Sequence, residues 1–580
     1  MDRKNFLNTL ITPSAPSKNR AVQTKNNAKE RSARTAVQQP APDTPLYLQS
    51  GLNPYTGTWT TNERIHLLKR LSFGAVKEDV DYFNTLTYSQ AVDEMLNTTN
   101  TSIGLPLKTY TPDPVTTLPT DPDWGVAVGQ TWVNIPTNSG SVNSNRTASL
   151  KHWWLNLQIN QPRSIEEKML LFLSSHVTVE FDTVANGMIL YKYLNTLRTN
   201  ALGNYKQLIK AITLDPAMLI YLNGRFNTKT APDENYGREL QELFTIGRGP
   251  GSGYTEADVK AASRVLTGYT VNTTTATSAF DPARHDTTNK QFSAFYGNKI
   301  ITGQSGVNGQ NELDELLNMI FATNEVALYI CRRLYRFFVY GNIDSTIENN
   351  VIVPLAAVFR NNNYELKPVL SALFKSEHFF DVLTQGAMIK SPADFIVGMV
   401  REMKIKLPPA ANSVIQYRML GYLGTTTMAA MNQSLGDPPN VSGWQAYYQE
   451  PLYDKSWLDT DSYTKRRTFI TTILNGYTNS NQRLQIDPIS IAKRMSKPSD
   501  PNVLIQDFVT YFLRMPLSDT AKAQIKKDTL LTGQTTDSYW TTAWDNYMAS
   551  PNSQANINEV TTRLKSLCNY FLFLEEYHLM

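Results

Sequence analysis

Apolar residues recur three or four positions apart along most of this chain, and that spacing predicts helices. In TNERIHLLKRLSFG, Ile65, Leu68 and Leu71 fall on one face. Thr61 or Asn62 offers a cap and Gly74 a stop. SIEEKMLLFLSSHV and YKQLIKAITL repeat the pattern, the second stopped by Pro216. YTEADVKAASRVLTGY opens with a capping box from Thr255 to Asp258 and ends at Gly268. Helical runs are predicted over 311–340, 344–361, 365–380, about 390–435 and 462–475, with a further set from about 487. The pattern fails in two places. Residues 105–147 are rich in Thr, Pro, Asn and Gly and read as a long loop insertion. Residues 270–310 read as a loop with short strands, turning on Gly297, Gly303, Gly306 and Gly309. No fixed-period repeat is present, which argues against a solenoid. The expected fold is mainly α: a large multi-helix globule with long irregular loops and a few short strands.

The start of the chain breaks the pattern differently. From Thr12 to about Pro45 it has almost no large apolar residues, so it cannot offset the entropy of ordering and is expected to be disordered. The opening MDRKNFLNTLI looks like the start of a twin-arginine export signal, with Arg3 and Lys4 where two arginines would stand. A working signal needs an apolar stretch of about 7–15 residues next. The polar ITPSAPSKNR follows instead. The residues therefore predict no classical secretion and a cytoplasmic protein. The expected organisation is a basic tail over 1–45, a helical core over 46–475 and a C-terminal helical extension over 476–580.

Composition narrows the function classes. The chain of 580 residues is 41% hydrophobic, ample for a large core, and has no long uncharged apolar run to span a membrane. Residues 1–42 hold eight Lys or Arg against Asp2 and Glu30. The remaining 47 basic and 49 acidic residues leave the body near neutral, so no nucleic-acid groove is expected. The two cysteines, Cys331 and Cys568, read as buried free thiols, too few for a disulfide framework or a cysteine metal site.

The densest chemistry lies in PDENYGRELQELFTIGRG, residues 232–249. On a helix capped by Asp233, Tyr236, Leu240, Leu243 and Phe244 face the core. Asn235, Glu239 and Glu242 share the adjoining flank, and Glu234, Arg238 and Gln241 form a third stripe. Partial burial of the neighbouring Glu239 and Glu242 would raise a carboxylate pKa or invite a divalent cation. Such a pair suits a metal held by helices or an acid/base couple. Arg238 is four residues from both Glu234 and Glu242 and can pair with either. The plain alternative is a surface helix whose i,i+4 pairs stabilise it by about 0.2–0.5 kcal/mol each.

No histidine shows the HExxH spacing. His66 reads as a core residue and His378 as a charge partner at a helix C-terminus. His176 ends an apolar helix before a β-like VTVEF, and His285 and Asp286 share a loop. In LGDPPNVSGWQAYY, Pro438, Pro439 and Gly443 set a rigid turn around Asn440 that presents Trp444. The tryptophan is either a core plug or a platform for a sugar or peptide.

Taken in order, HLLKRLSFG, EKMLLFLSSHVTV, AITLDPAMLIYLNG, DENYGRELQELFTIG, GYTEADVKAASRVLTGY, HDTTNKQF and DPPNVSGW resemble the bacterial family named domain of unknown function 1800, over about residues 60–475. The resemblance implies a large, mostly helical protein with no established activity. It also implies relatives often exported by the twin-arginine route and encoded beside a sulfatase-like companion, which points to the periplasm or cell envelope. Many relatives read Trp-His-Asn-His where this chain has Leu173, Ser174, Ser175 and His176, and many carry His where it has Phe244. If those histidines bind metal in relatives, part of the set is lost here. His176, Asn235, Arg238, Glu239, Glu242, His285, Asp286 and Trp444 match.

Two readings follow. In one, a helical binding or assembly protein uses these residues as a buried polar network. In the other, a metal-assisted hydrolase or other enzyme lines one pocket with His176, Glu239, Glu242, His285 and Asp286, while Arg238 orients an anionic group. Both require convergence, so His285 or Asp286 is expected to reach Glu239, Glu242 or Arg238.

Overall fold

The computed structural model describes residues 48–97, 103–110, 123 and 125–580. The basic tail expected over 1–45 and much of the Thr- and Pro-rich stretch lie outside them. Helices carry the described fold. Its sheets are three antiparallel pairs: Tyr269–Asn272 with Thr277–Phe280, Lys290–Gln291 with Ile300–Ile301, and Tyr477–Asn479 with Gln482–Leu484.

Several boundaries differ from the sequence expectation, each for a local reason. Thr60, not Thr61 or Asn62, caps Thr61–Leu71. Its hydroxyl accepts from Asn62 N, and Glu63 accepts from Thr60 N at 3.0 Å. Pro216 does not merely end a helix. It occupies the first turn of Pro216–Tyr221, where the missing N–H costs nothing, behind an Asp215 cap. The expected loop over 105–147 is shorter, because the helix Gly140–Asn160 begins inside it. Ser139 caps that helix and Val142, Leu150 and Trp154 bury one side. The VTVEF stretch forms no strand; Phe181 opens the short helix Phe181–Val184. The run over 311–340 is two helices, Glu312–Phe321 and Asn324–Phe338, separated at Thr323.

One continuous apolar cluster runs from Ile65 and Leu68 near the start to Leu567 and Phe571 near the end. The C-terminal helices close onto the first one. Lys69 Nζ donates to Phe512 O at 3.3 Å, and Arg514 donates to Asn62 O at 3.2 Å. Ion pairs are buried in the same core: Lys69 with Glu402 at 3.4 Å, Lys168 with Asp394, and Arg198 with Glu167. Among the described residues no helix is long and apolar enough to cross a membrane. Cys331 and Cys568 are buried and free.

His66 sits in the core with Nε2 2.9 Å from Phe379 O. His378 is not a helix-end charge partner. It is buried between Tyr335 Oη at 2.8 Å and Ser50 O at 3.0 Å, and burial pulls its pKa below the ordinary histidine value.

Candidate functional site

The helix of the acidic motif spans Asn235–Glu242, shorter than the pattern implied. Glu234, not Asp233, holds the cap position and makes no side-chain cap bond, while Asp233 one residue earlier accepts from Asn235 N at 2.8 Å. The helix stops early because the chain reverses at Gly247. Ile246 N and Gly247 N both donate to Gln241 O, at 2.9 and 3.1 Å, and Gly247 has φ 84°. A Cβ there would lie 2.3 Å from the Tyr329 ring, so glycine lets the turn seat against that tyrosine. Gly237 does the same service against the helix Glu256–Val265, where a Cβ would lie 2.6 Å from Ser263 Oγ. Tyr236 is buried with its hydroxyl 2.6 Å from Thr213 Oγ1. Gln241, expected on an outer stripe, is buried; its Oε1 accepts from Tyr296 Oη at 2.6 Å.

The charges on this helix sort differently from their sequence spacing. Arg238 forms two hydrogen bonds to Glu256, at 2.7 and 2.6 Å, and one to Glu234 at 3.1 Å. It does not pair with Glu242, which instead takes Arg248 at 2.6 Å from beyond the turn. Asn235 is exposed on the first turn. Glu239 is left over. Its Oε2 is buried and has no partner. Burial, reinforced by the negative charge of Glu242, pushes its pKa up to about 7 against the pull of Arg248 and Arg238.

His176 approaches the same segment from behind. It is the last residue of Glu166–His176, and its Nε2 lies 2.7 Å from Tyr205 Oη. Tyr205 Oη donates its own proton to Phe244 O at 2.6 Å. The tyrosine therefore accepts from His176 Nε2–H, and Nδ1 carries the lone pair. That atom is buried without a partner. Burial, then the nearby Arg333, pull the His176 pKa well below the ordinary value, so the ring is neutral. Tyr329 stands between the two groups. Its ring centroid is 5.9 Å from that of His176, and its phenol lies in the fields of Glu242 and Glu239. Ser174, at the position of a relative's histidine, turns back to its own helix and donates to Leu171 O at 3.0 Å.

The DPPNVSGW loop closes over the end of the His176 helix. Gly443 has φ 88°, and a Cβ there would lie 2.2 Å from Ser175 O. Trp444 is 2% exposed and plugs the core, so it presents no open aromatic face. Asn440 stands outside and shapes the turn. Its Oδ1 accepts from Ser442 N at 2.8 Å and its Nδ2 donates to Tyr448 Oη at 2.7 Å.

His285 and Asp286 are held elsewhere. The His285 ring bridges Thr267 O at 2.9 Å and Glu312 Oε1 at 3.0 Å, and Lys290 closes the second oxygen of Glu312 at 2.5 Å. For Asp286, burial alone would raise the pKa. Arg264 at 2.7 Å and the Thr288 hydroxyl and N–H outweigh it and hold the carboxyl at about 2. Among the described residues, none of their hydrogen bonds or ion pairs reaches Glu239, Glu242 or Arg238. The expected direct contact is absent because Arg264, at the end of the intervening helix, and Glu312 capture the pair first. Nor is any group of three or more His, Cys, Asp or Glu among the described residues arranged to hold a metal ion.

The polar residues thus divide into a closed network at 285–312 and an incompletely satisfied one around Glu239 and His176. Tyr205, Arg248, Lys290, Glu312 and Tyr329 belong to these networks and were not singled out in the sequence. Only Arg248, inside the same acidic motif and six residues after Glu242, carried any local signal.

No curated protein and no solved structure matches the chain. A family model described as protein of unknown function, DUF1800, matches residues 66–555, past the last of the recognisable motifs, and the chain belongs to that family.

Proposed function

We propose that this protein is a helical binding protein whose site is the Glu239–Glu242 face, and that the site takes a cationic group such as an amine. One observation carries this reading: Glu239 keeps a buried carboxylate oxygen without a partner beside a second carboxylate that is already paired. Four carboxylates, Glu234, Glu239, Glu242 and Glu256, share this surface with Arg238 and Arg248. Burial first, and then the negative charge of Glu242, lifts Glu239 towards neutral pH. A bound ammonium would restore the balance and hydrogen-bond the orphaned oxygen. The closed His285–Glu312–Lys290 network supports the same reading, since its groups are spent on fastening loops to helices.

The test is calorimetric titration of the full chain with cadaverine at pH 8 and pH 6. Binding is expected at pH 8, weaker binding at pH 6 where Glu239 holds a proton, and none in Glu239→Gln. Binding that is indifferent to both pH and the substitution overturns the proposal.

A second reading, metal-assisted chemistry, draws on the unpartnered lone pair of His176 Nδ1. Elemental analysis of purified protein tests it. The family resemblance extends the proposal to the cell envelope and to a sulfatase-like companion. Fractionation and co-purification from native cells test both.

A further inference from the structure

On the helix Asn324–Phe338, Tyr329, Arg333 and Arg336 stand at i, i+4 and i+7 and so share one face. The Gly247 turn is seated on the Tyr329 ring, which brings the Glu239–Glu242 carboxylates to that end of the face. At 1.5 Å of rise per residue, Arg333 and Arg336 follow roughly 6 and 10 Å further along the axis. The Tyr329 phenol lies in the fields of Arg333, Arg336, Glu242 and Glu239 together. The face is therefore negative at one end and positive at the other.

These groups are not spent on one another. Tyr329 Oη has no hydrogen-bond partner among the described residues. Glu239 Oε2, His176 Nδ1 and Arg336 Nε are buried without one. Arg333 is 8% exposed, and its one hydrogen bond among the described residues goes to Tyr447 O at 3.0 Å. Arg336 lies over the Tyr453 ring, 4.8 Å from its centroid. Its ion-pair partner, Glu450, stays 3.9 Å away and is 74% exposed. Arg332 shows the contrast: Glu348 takes it up at 2.5 Å. A guanidinium held out of water without a close carboxylate is costly, and an incoming anion relieves the cost. An ammonium on Glu239 and a carboxylate on Arg336 would satisfy both ends. An α-amino acid, with its charges on neighbouring carbons, is too short to pass Tyr329.

We infer that the ligand is an extended zwitterion, with its ammonium at Glu239, its carboxylate at Arg336 and several methylenes along Tyr329 between them. This rests on the amine reading of the Glu239–Glu242 face and adds the second charge and the length. The experiment is calorimetric titration of the full chain at pH 8 with 6-aminohexanoate, cadaverine and glycine. The first is cadaverine with one ammonium replaced by a carboxylate. It is expected to bind about tenfold tighter than cadaverine, the worth of one charge-assisted hydrogen bond, and tighter than glycine. Arg336→Gln should remove that advantage without weakening cadaverine. Glu450→Gln takes a competing charge from an exposed position and should tighten 6-aminohexanoate by about threefold. Should Arg336→Gln fail to fold, Glu450→Gln decides, and an unmoved affinity overturns the inference. So does 6-aminohexanoate binding no tighter than cadaverine or glycine, or an advantage that survives Arg336→Gln. Each of these outcomes leaves the amine reading intact, whereas failure of both amines to bind overturns the two together.

Discussion

Arg248 reaches back across the Gly247 turn to place Nε 2.6 Å from a carboxylate oxygen of Glu242, and so takes the partner that Arg238 could have had. The consequence is that the helix keeps one paired and one unpaired glutamate side by side. Arg238 turns outward to Glu256 and Glu234.

That outward pair is solvated, with Arg238 29% and Glu256 68% exposed. Arg238→Ala is therefore expected to cost under about 1 kcal/mol. Lys168→Ala should cost about 3–5 kcal/mol, because it strands Asp394 in the core. Denaturant melts of the two variants against wild type check both values.

The raised pKa of Glu239 makes stability pH-dependent in a definite direction. The folded carboxyl titrates at about 7 against an ordinary 4.5. The folded state thus holds the proton more tightly. Its contribution is fully present below pH 4.5 and is lost as pH rises through 7. Glu239→Gln removes that loss. The melting temperature of the variant relative to wild type should be higher at pH 8 than at pH 5. An unchanged difference would mean the group titrates normally.

Asp286 runs the other way. Its carboxyl sits at about 2, below the ordinary 3.8, so its contribution is present above pH 3.8 and is lost as pH falls through 2. Asp286→Asn should destabilise at pH 7 and converge with wild type near pH 2. Parallel thermal melts across that range decide it.

Glu312 is fully buried between His285 and Lys290. Glu312→Ala leaves the Lys290 ammonium without its carboxylate in the interior, at a cost of about 3–5 kcal/mol. Equilibrium unfolding of the variant gives the value; a loss below about 1 kcal/mol would show that this network does not fasten the loop.

Gly443→Ala combines a left-handed backbone with a Cβ 2.2 Å from Ser175 O. The strain and the clash together should cost more than about 2 kcal/mol. Differential scanning calorimetry of the variant measures it.

Trp444 stayed open between core plug and platform until the fold buried it, whereas the helical class, the capping box from Thr255 to Asp258 and the short strands around 270–310 were legible in the residues alone. Each of the latter rests on contacts between near neighbours. Contacts between distant elements settled where the polar groups went. Arg238 and Glu242 are correctly spaced to pair, yet each found a better partner from another segment, Glu256 at 18 residues in one case and Arg248 beyond a glycine turn in the other. His285 and Asp286 look like free loop chemistry until Glu312, Lys290 and Arg264 fold over them. Helical spacing specifies which side chains are within reach on one element. It carries no information about charges brought in from other elements, and in a low-dielectric interior those charges decide which groups are satisfied and which are left open.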